Sequence, residues 1–186
     1  VGYGFAEYKG KCDILDFEGK YSSQVKQFIE EQRQKYQNRE QLKKDIQESG
    51  ITPGLVGILV GNDPASELYV SLKENACREV GIQFTLKRFS ARTNPDEIAY
   101  YIDEINQDPK IHAILLQLPL PYYLNPDELI ARIDPEKDVD GFHPENRARF
   151  ATDEYARRPV LVDAIFEILD ETPVMLSKTS VVILAN

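Results

Sequence analysis

The sequence has no tryptophan, one methionine and only two cysteines among its 186 residues. Cys12 and Cys77 show no CxxC spacing, and neither has a neighbouring histidine that would complete a ligand set. The pattern therefore favours neither a disulfide framework nor a zinc site. We expect two reduced thiols, the usual state of cysteine in a cytoplasmic protein, and no bound metal.

Long apolar runs and an excess of basic residues are also absent. No run approaches the ~18 apolar residues of a membrane span, and the start at Val1 lacks the basic and apolar regions of a signal peptide. The net charge is −9 and the pI about 4.8, whereas a nucleic-acid-binding protein needs a basic face. We expect a soluble cytoplasmic protein with a small-molecule partner and with neither a membrane nor a nucleic-acid partner.

Strand and helix signatures alternate through the middle of the chain. Three apolar runs predict strands, at residues 55–60, 82–89 and 111–118. Each is followed by an Asn or Asp directly before a proline, which is typical of a helix cap and first helical position: Asp63-Pro64, Asn94-Pro95 and Asn125-Pro126. This order predicts an α/β fold, a three-layer αβα arrangement with a parallel sheet between helices.

The spacing of apolar residues predicts which helix faces are buried. On the first of these helices Leu72, Ala76 and Val80 recur every four residues, and Gly81 marks its end. On the second, the buried face is predicted to carry Ile98, Ile102 and Ile105.

The two ends of the chain are less regular. Ser22 or Ser23 is predicted to cap an earlier helix, and the polar stretch 33–44 indicates a solvated helix or a connection. Residues 162–169 predict a helix and 180–184 a strand that has no partner. We therefore divide the chain into an α/β domain at 1–147 and an incomplete Rossmann-like unit at 148–186.

Tyr69 and Lys73 are the first candidate site residues. At i and i+4 of one helix, their Cβ atoms lie about 5 to 6 Å apart, so both can contact one ligand. A lysine withdrawn from water can act as a base, and a tyrosine offers a flat face to an aromatic substrate. The alternative from this pair alone, a surface lysine lying over a half-buried tyrosine, is several times more common.

Ligands bind at the carboxyl ends of parallel strands, which directs attention to residues 61–64 and 117–121. Gln117 ends an apolar strand, where a buried amide needs a partner or a ligand. Asp138 and Asp140 alternate in an extended segment, so only one of them can face a given pocket. For the other, stabilisation of the turn before Gly141 is the simpler interpretation.

Over about residues 50 to 147, the order of these segments and their residues resemble those of the bifunctional methylenetetrahydrofolate dehydrogenase/methenyltetrahydrofolate cyclohydrolase family. The segments that carry the resemblance are Val60-Gly61-Asn62-Asp63-Pro64-Ala65-Ser66, Tyr69-Val70-Ser71-Leu72-Lys73, Gln117-Leu118-Pro119-Leu120-Pro121, and Pro135-Glu136-Lys137-Asp138-Val139-Asp140-Gly141 with Asn146.

The resemblance implies one-carbon folate chemistry that serves, among others, purine biosynthesis. It assigns catalysis to Lys73, Gln117 and Asp140. It assigns substrate binding to these three and to Tyr69, Leu118 and Pro119. Tyr69 would stack on the aminobenzoate ring and Asp140 would accept hydrogen bonds from the pterin. The resemblance also implies NADP as the cofactor and a homodimer.

The segment that corresponds to the family's dehydrogenase half departs from the family pattern. Pro159-Val160-Leu161-Val162-Asp163-Ala164 stands where the family has Pro-Cys-Thr-Pro-x-Gly, and Leu184-Ala185-Asn186 where Gly-Arg-Ser is expected. Because phosphate recognition needs close backbone approach and positive charge, we expect residues 1–186 not to bind NADP themselves, and we assign no cofactor-binding residues. Two other functions stay open: a cyclohydrolase alone, or a non-catalytic folate-binding or regulatory module.

Overall fold

A computed structural model describes residues 39–152 and 159–170 of the chain. Within these ranges, residues 39–49 are helical (α1) and the other elements follow in chain order: β1 (Gly54–Val60), α2 (Pro64–Val80), β2 (Gln83–Phe89), α3 (Pro95–Gln107), β3 (Ala113–Leu116), α4 (Pro126–Ile130), α5 (Pro144–Thr152) and α6 (Val160–Asp170). The helix predicted to begin at Ser22 or Ser23 and the strand predicted at 180–184 lie outside the described residues.

The three strands form one parallel sheet in the order β2-β1-β3, which confirms the predicted parallel arrangement. β1 lies in the centre, where Leu55 pairs with Phe84 on one side and with Ala113 on the other. Its nearly continuous apolar sequence suits this position, because a central parallel strand is covered on both faces.

The predicted strand 111–118 is too long, since β3 contains only Ala113–Leu116. At its start, the N–H of Ile111 donates to the carbonyl of Asp108 in a turn instead of to a neighbouring strand. Beyond its end comes Pro119, which has no N–H with which to extend the ladder.

α2 begins and ends where the sequence predicts. The side chain of Asp63 accepts a hydrogen bond from the N–H of Ser66, and Gly81 ends the helix in the left-handed conformation with φ of 91°. Of the predicted buried stripe, Val80 is buried, but Leu72 is 51% exposed and was predicted wrongly. Val70 is buried instead, and Leu72, two residues later, points about 200° away around the helix.

Helices cover both faces of the sheet, as the predicted three-layer fold requires. The main core cluster joins Ile98, Ile102 and Ile105 of α3 to alternate residues of β1, namely Val56, Ile58 and Val60. Leu59 and Val70 are buried outside that cluster, because successive residues of a strand face opposite sides of the sheet. The connection from β1 to β2 and the connection from β2 to β3 cross the sheet in opposite directions. Because such connections are right-handed, their helices α2 and α3 lie on opposite faces.

The helix predicted from residues 162–169 is confirmed as α6. The predicted domain boundary between residues 147 and 148 falls inside α5, and the division into two domains stays a prediction. No helix of the described residues is long and apolar enough to cross a lipid bilayer.

Candidate functional site

Lys73 and Gln117 meet although 44 positions separate them in the sequence. Lys73 projects from the middle of α2, and its Nζ donates to Oε1 of Gln117 at 3.1 Å. Gln117 is buried directly after β3, where its N–H donates to the carbonyl of Ile58 and its Nε2 donates to the carbonyl of Leu118. The sheet edge therefore holds the amide with its oxygen towards the lysine.

Asp140 adds a half-buried carboxyl group to the pair. Burial raises its pKa above the ordinary value, while the positive charge of Lys73 lowers it and the negative charge of Asp138 raises it further. The charge of Lys73 thus acts on Asp140, which places this carboxyl group near the pair of Lys73 and Gln117. That the three residues form one site stays a prediction. An amine, an amide and a carboxyl group in this arrangement can bind polar atoms of a ligand and move a proton.

The remaining predicted site residues are near neighbours of Lys73 and Gln117 in the sequence. Tyr69 is one helical turn before Lys73 and is 45% exposed, so its ring has a free face. Leu118 is half-buried and Pro119 is exposed, and a cis peptide bond joins them. The roles of Tyr69, Leu118 and Pro119 towards a ligand stay predictions.

Asp138 serves local structure, and the prediction that the two alternating carboxylates face opposite sides stays a prediction. Its side chain is buried and accepts hydrogen bonds from the N–H groups of Gly141 at 3.1 Å and His143 at 2.8 Å. Nδ2 of Asn146 donates to it at 2.9 Å. Asn146 belongs to the segments that carry the family resemblance, but its contact with Asp138 could not be read from sequence spacing.

Both histidines of the chain serve local structure. Nδ1 of His112, directly before β3, accepts from the N–H of Gly54 at 3.0 Å. His143 is buried, and its Nδ1 accepts from the N–H of Glu145 at 3.2 Å. In the part of the chain that the structure describes, no three His, Cys, Asp or Glu side chains come together as a metal site.

Comparison with known proteins places these residues in a family. Residues 22–140 match the family model described as tetrahydrofolate dehydrogenase/cyclohydrolase, catalytic domain. A relative named bifunctional protein FolD, from Geotalea daltonii, is 45% identical over 137 residues, covering 74% of this chain and 49% of the relative. The protein of the same name from Bacillus subtilis is 42% identical over 153 residues, covering 81% and 54%. The chain spans about half the length of the curated relatives it matches.

Solved structures give the same result. The bifunctional FolD methylenetetrahydrofolate dehydrogenase/cyclohydrolase from Campylobacter jejuni superposes with a TM-score of 0.67 at 34% identity, over 71% of this chain and 48% of that one. The FolD of Trypanosoma brucei, solved with NADP cofactor and inhibitor, superposes with a TM-score of 0.64 at 26% identity, over 71% and 47%.

Proposed function

The chain belongs to the tetrahydrofolate dehydrogenase/cyclohydrolase family, and on that premise we propose that Lys73, Gln117 and Asp140 form a folate site that hydrolyses methenyltetrahydrofolate to the formyl form. The observation that carries the proposal is the 3.1 Å contact between Nζ of Lys73 and Oε1 of Gln117, beside a half-buried carboxyl group. A surface lysine lying over a tyrosine would not need a buried amide from another element of the fold.

Each residue has a physical task in this proposal. The exposed ring of Tyr69 stacks on the aminobenzoate ring of the substrate. Asp140 accepts hydrogen bonds from the N–H groups of the pterin, which ionised carboxyl oxygens can do. Leu118 and Pro119 border the ligand at the end of β3. Gln117 holds Lys73 in place through Oε1, so the amine does not swing into solvent.

The hydrolysis consumes one water molecule. The water oxygen forms a bond to the bridging carbon of the methenyl group, and Lys73 in its neutral form takes a proton from that water. One of the two carbon–nitrogen bonds of the bridge then breaks, and its nitrogen receives a proton. The products are formyltetrahydrofolate and one net proton. A positioned base of this kind contributes ~10²- to 10⁴-fold to the rate.

The other activity of the family, NADP-dependent oxidation of methylenetetrahydrofolate, is proposed for the whole protein. A nicotinamide cofactor would supply the hydride acceptor, but the described residues do not fit it. Residues 159–170, which open the predicted second unit, contain no lysine or arginine, whereas phosphate recognition needs positive charge. We therefore assign no residue of this chain to the cofactor. A cytoplasmic homodimer that does not bind nucleic acid and serves purine biosynthesis completes the proposal.

The test compares Lys73→Met with Lys44→Met in hydrolysis of methenyltetrahydrofolate, followed by its absorbance. Lys44 is an exposed lysine whose one ion pair within residues 39–152 and 159–170 is with Glu48, at 3.7 Å. Its variant controls for the loss of one positive charge. We expect Lys73→Met to lose ~10²- to 10⁴-fold in rate, and Lys44→Met to keep the wild-type rate. Equal rates for all three proteins, after subtraction of the spontaneous reaction, would refute the proposed role of Lys73.

The same protein tests the non-catalytic alternative. Tetrahydrofolate at ~100 times its dissociation constant should raise the free energy of unfolding by about 2.7 kcal/mol. Stabilisation without turnover would favour a folate-binding module, and the absence of both would leave a scaffold without a folate site.

A further inference from the structure

The turn that carries Asp140 is fixed from both sides. On its upstream side, the N–H of Ile114 donates to the carbonyl of Lys137 at 2.8 Å, which ties the segment to β3. On its downstream side, the carboxylate of Asp138 accepts from the N–H groups of Gly141 and His143. Asp140 lies between these contacts, so they hold its backbone where the charge of Lys73 acts on its carboxyl group.

Asn146 extends this arrangement to helix α5. Its Nδ2 donates both to the carboxylate of Asp138 and to the carbonyl of Pro135, each at 2.9 Å. One side-chain amide therefore joins the segment upstream of Asp140 to the first turn of α5. Among the described residues, Asn146 is the only one whose side chain donates a hydrogen bond to Asp138.

The chemistry of Asp138 is unusual for a residue that only stabilises a turn. Its side chain is 2% exposed, and among the described residues no lysine, arginine or histidine forms an ion pair with it. Instead, the buried carboxylate accepts hydrogen bonds from the backbone N–H groups of Gly141 and His143 and from the side-chain amide of Asn146. A neutral side chain has fewer acceptor sites for these donors, so the contacts depend on a carboxylate at this position.

We propose that Asp138 and Asn146 are positioning residues for folate binding, because they hold the turn 138–143 so that the carboxylate of Asp140 faces Lys73 and the pterin. The inference rests on the proposed function for its ligand. The geometry of the turn, however, can be tested without any ligand.

The ligand-free test is a carbon NMR titration of the Asp140 carboxyl group in Asn146→Leu. This variant removes the amide donor and keeps the charges of Lys73 and Asp138. Burial is the largest cause of the raised pKa of Asp140. If the turn loosens, Asp140 enters water and its pKa falls towards the ordinary value. An unchanged pKa in a folded Asn146→Leu variant would overturn the positioning role whatever the protein binds.

The ligand test is a double-mutant cycle that measures tetrahydrofolate affinity by calorimetry. Asp138→Asn should weaken binding on the order of tenfold, the effect of one hydrogen bond to a charged group. In an Asp140→Ala background, Asp138→Asn should cause no further loss, because a residue that acts through Asp140 has nothing left to position. Equal losses in both backgrounds would show a purely structural role and refute the inference.

The matched control is Asp134→Asn. Asp134 is a nearby aspartate whose carboxylate accepts from the N–H of Glu136 at 2.9 Å. Its contact with the turn is through the backbone carbonyl, which accepts from the N–H of Asp138 and is kept in the variant. We expect its affinity to equal that of the wild type. A wild-type protein that binds no tetrahydrofolate would refute the proposed function, and the NMR titration would then decide the positioning role alone.

Discussion

Lys137 gives the most direct test of how the site is held. Its Nζ donates to three carbonyl groups at the end of α3, those of Ile105 at 3.2 Å, Asn106 at 2.7 Å and Asp108 at 3.0 Å. The last turn of α3 contains no basic residue of its own, so Lys137 supplies the positive charge that a helix C-terminus favours. The same residue directly precedes Asp138 and lies beside the turn that carries Asp140.

The magnitude follows from these contacts. A hydrogen bond to a charged group contributes ~1.5 to 3 kcal/mol, but one ammonium group shared among three acceptors does not contribute three full bonds. We expect Lys137→Met, which keeps the apolar stem, to lower the free energy of unfolding by about 2 to 3 kcal/mol. Urea unfolding followed by circular dichroism measures this as a lower midpoint with an unchanged slope.

The control for Lys137→Met is Lys110→Met. Lys110 is exposed, and its side chain forms no hydrogen bond or ion pair with any of the described residues. Its variant should stay within ~0.5 kcal/mol of the wild type, as is usual for surface substitutions. If the two variants unfold at the same urea concentration, the three contacts of Lys137 contribute no net stability and the reasoning fails.

Three further predictions follow from burial and close contact. Burial raises the pKa of Asp140 above its ordinary value of 3.8. The wild type should therefore lose stability relative to Asp140→Asn as pH rises from 3.8 through the raised pKa. Denaturation at several pH values tests this, and a difference in stability that does not change with pH would contradict it. Cys77 is buried, and burial raises the pKa of its thiol. In a Cys12→Ser background, Cys77 should therefore react with a thiol reagent far more slowly in the folded protein than in urea. Equal reaction rates would contradict its burial. A Cβ at Gly57 would lie 2.7 Å from Cζ of Phe84. Gly57→Ala should therefore lower the free energy of unfolding, measured by chemical denaturation, by about 1 to 3 kcal/mol. Phe84→Leu should relieve part of that loss, and a wild-type midpoint for Gly57→Ala would refute the clash.

Local signals predicted the elements of the fold well. The cap and proline at Asn94-Pro95 begin α3 as predicted, and Asn125-Pro126 begins α4 in the same way. These signals work because a cap and a proline act within a few residues, through a side-chain oxygen and a fixed φ. The parallel sheet followed from their order, since strands separated by helices pair in parallel.

Other features depend on contacts between distant segments and could not be predicted in this way. The four-residue spacing predicted that Leu72 lies on the buried face of α2, but Val70 is buried and Leu72 is exposed. An apolar pattern alone does not show which side of a helix is covered by a neighbouring element. The bonds from Lys137 to the end of α3 and from Asn146 to Asp138 likewise join separate elements. Sequence spacing alone contains no sign of them.

The electrostatics of Asp140 connect stability with binding. Burial and the charge of Asp138 both disfavour its ionised form, and only Lys73 favours it. Ionisation of this carboxyl group in the folded protein therefore costs stability, and the charge of Lys73 offsets only part of that cost. Under the proposed function, Asp140→Asn should change the two properties in opposite directions, with higher stability at neutral pH and weaker tetrahydrofolate binding. If Asp140 only supported the fold, Asp140→Asn would lower stability and tetrahydrofolate binding together.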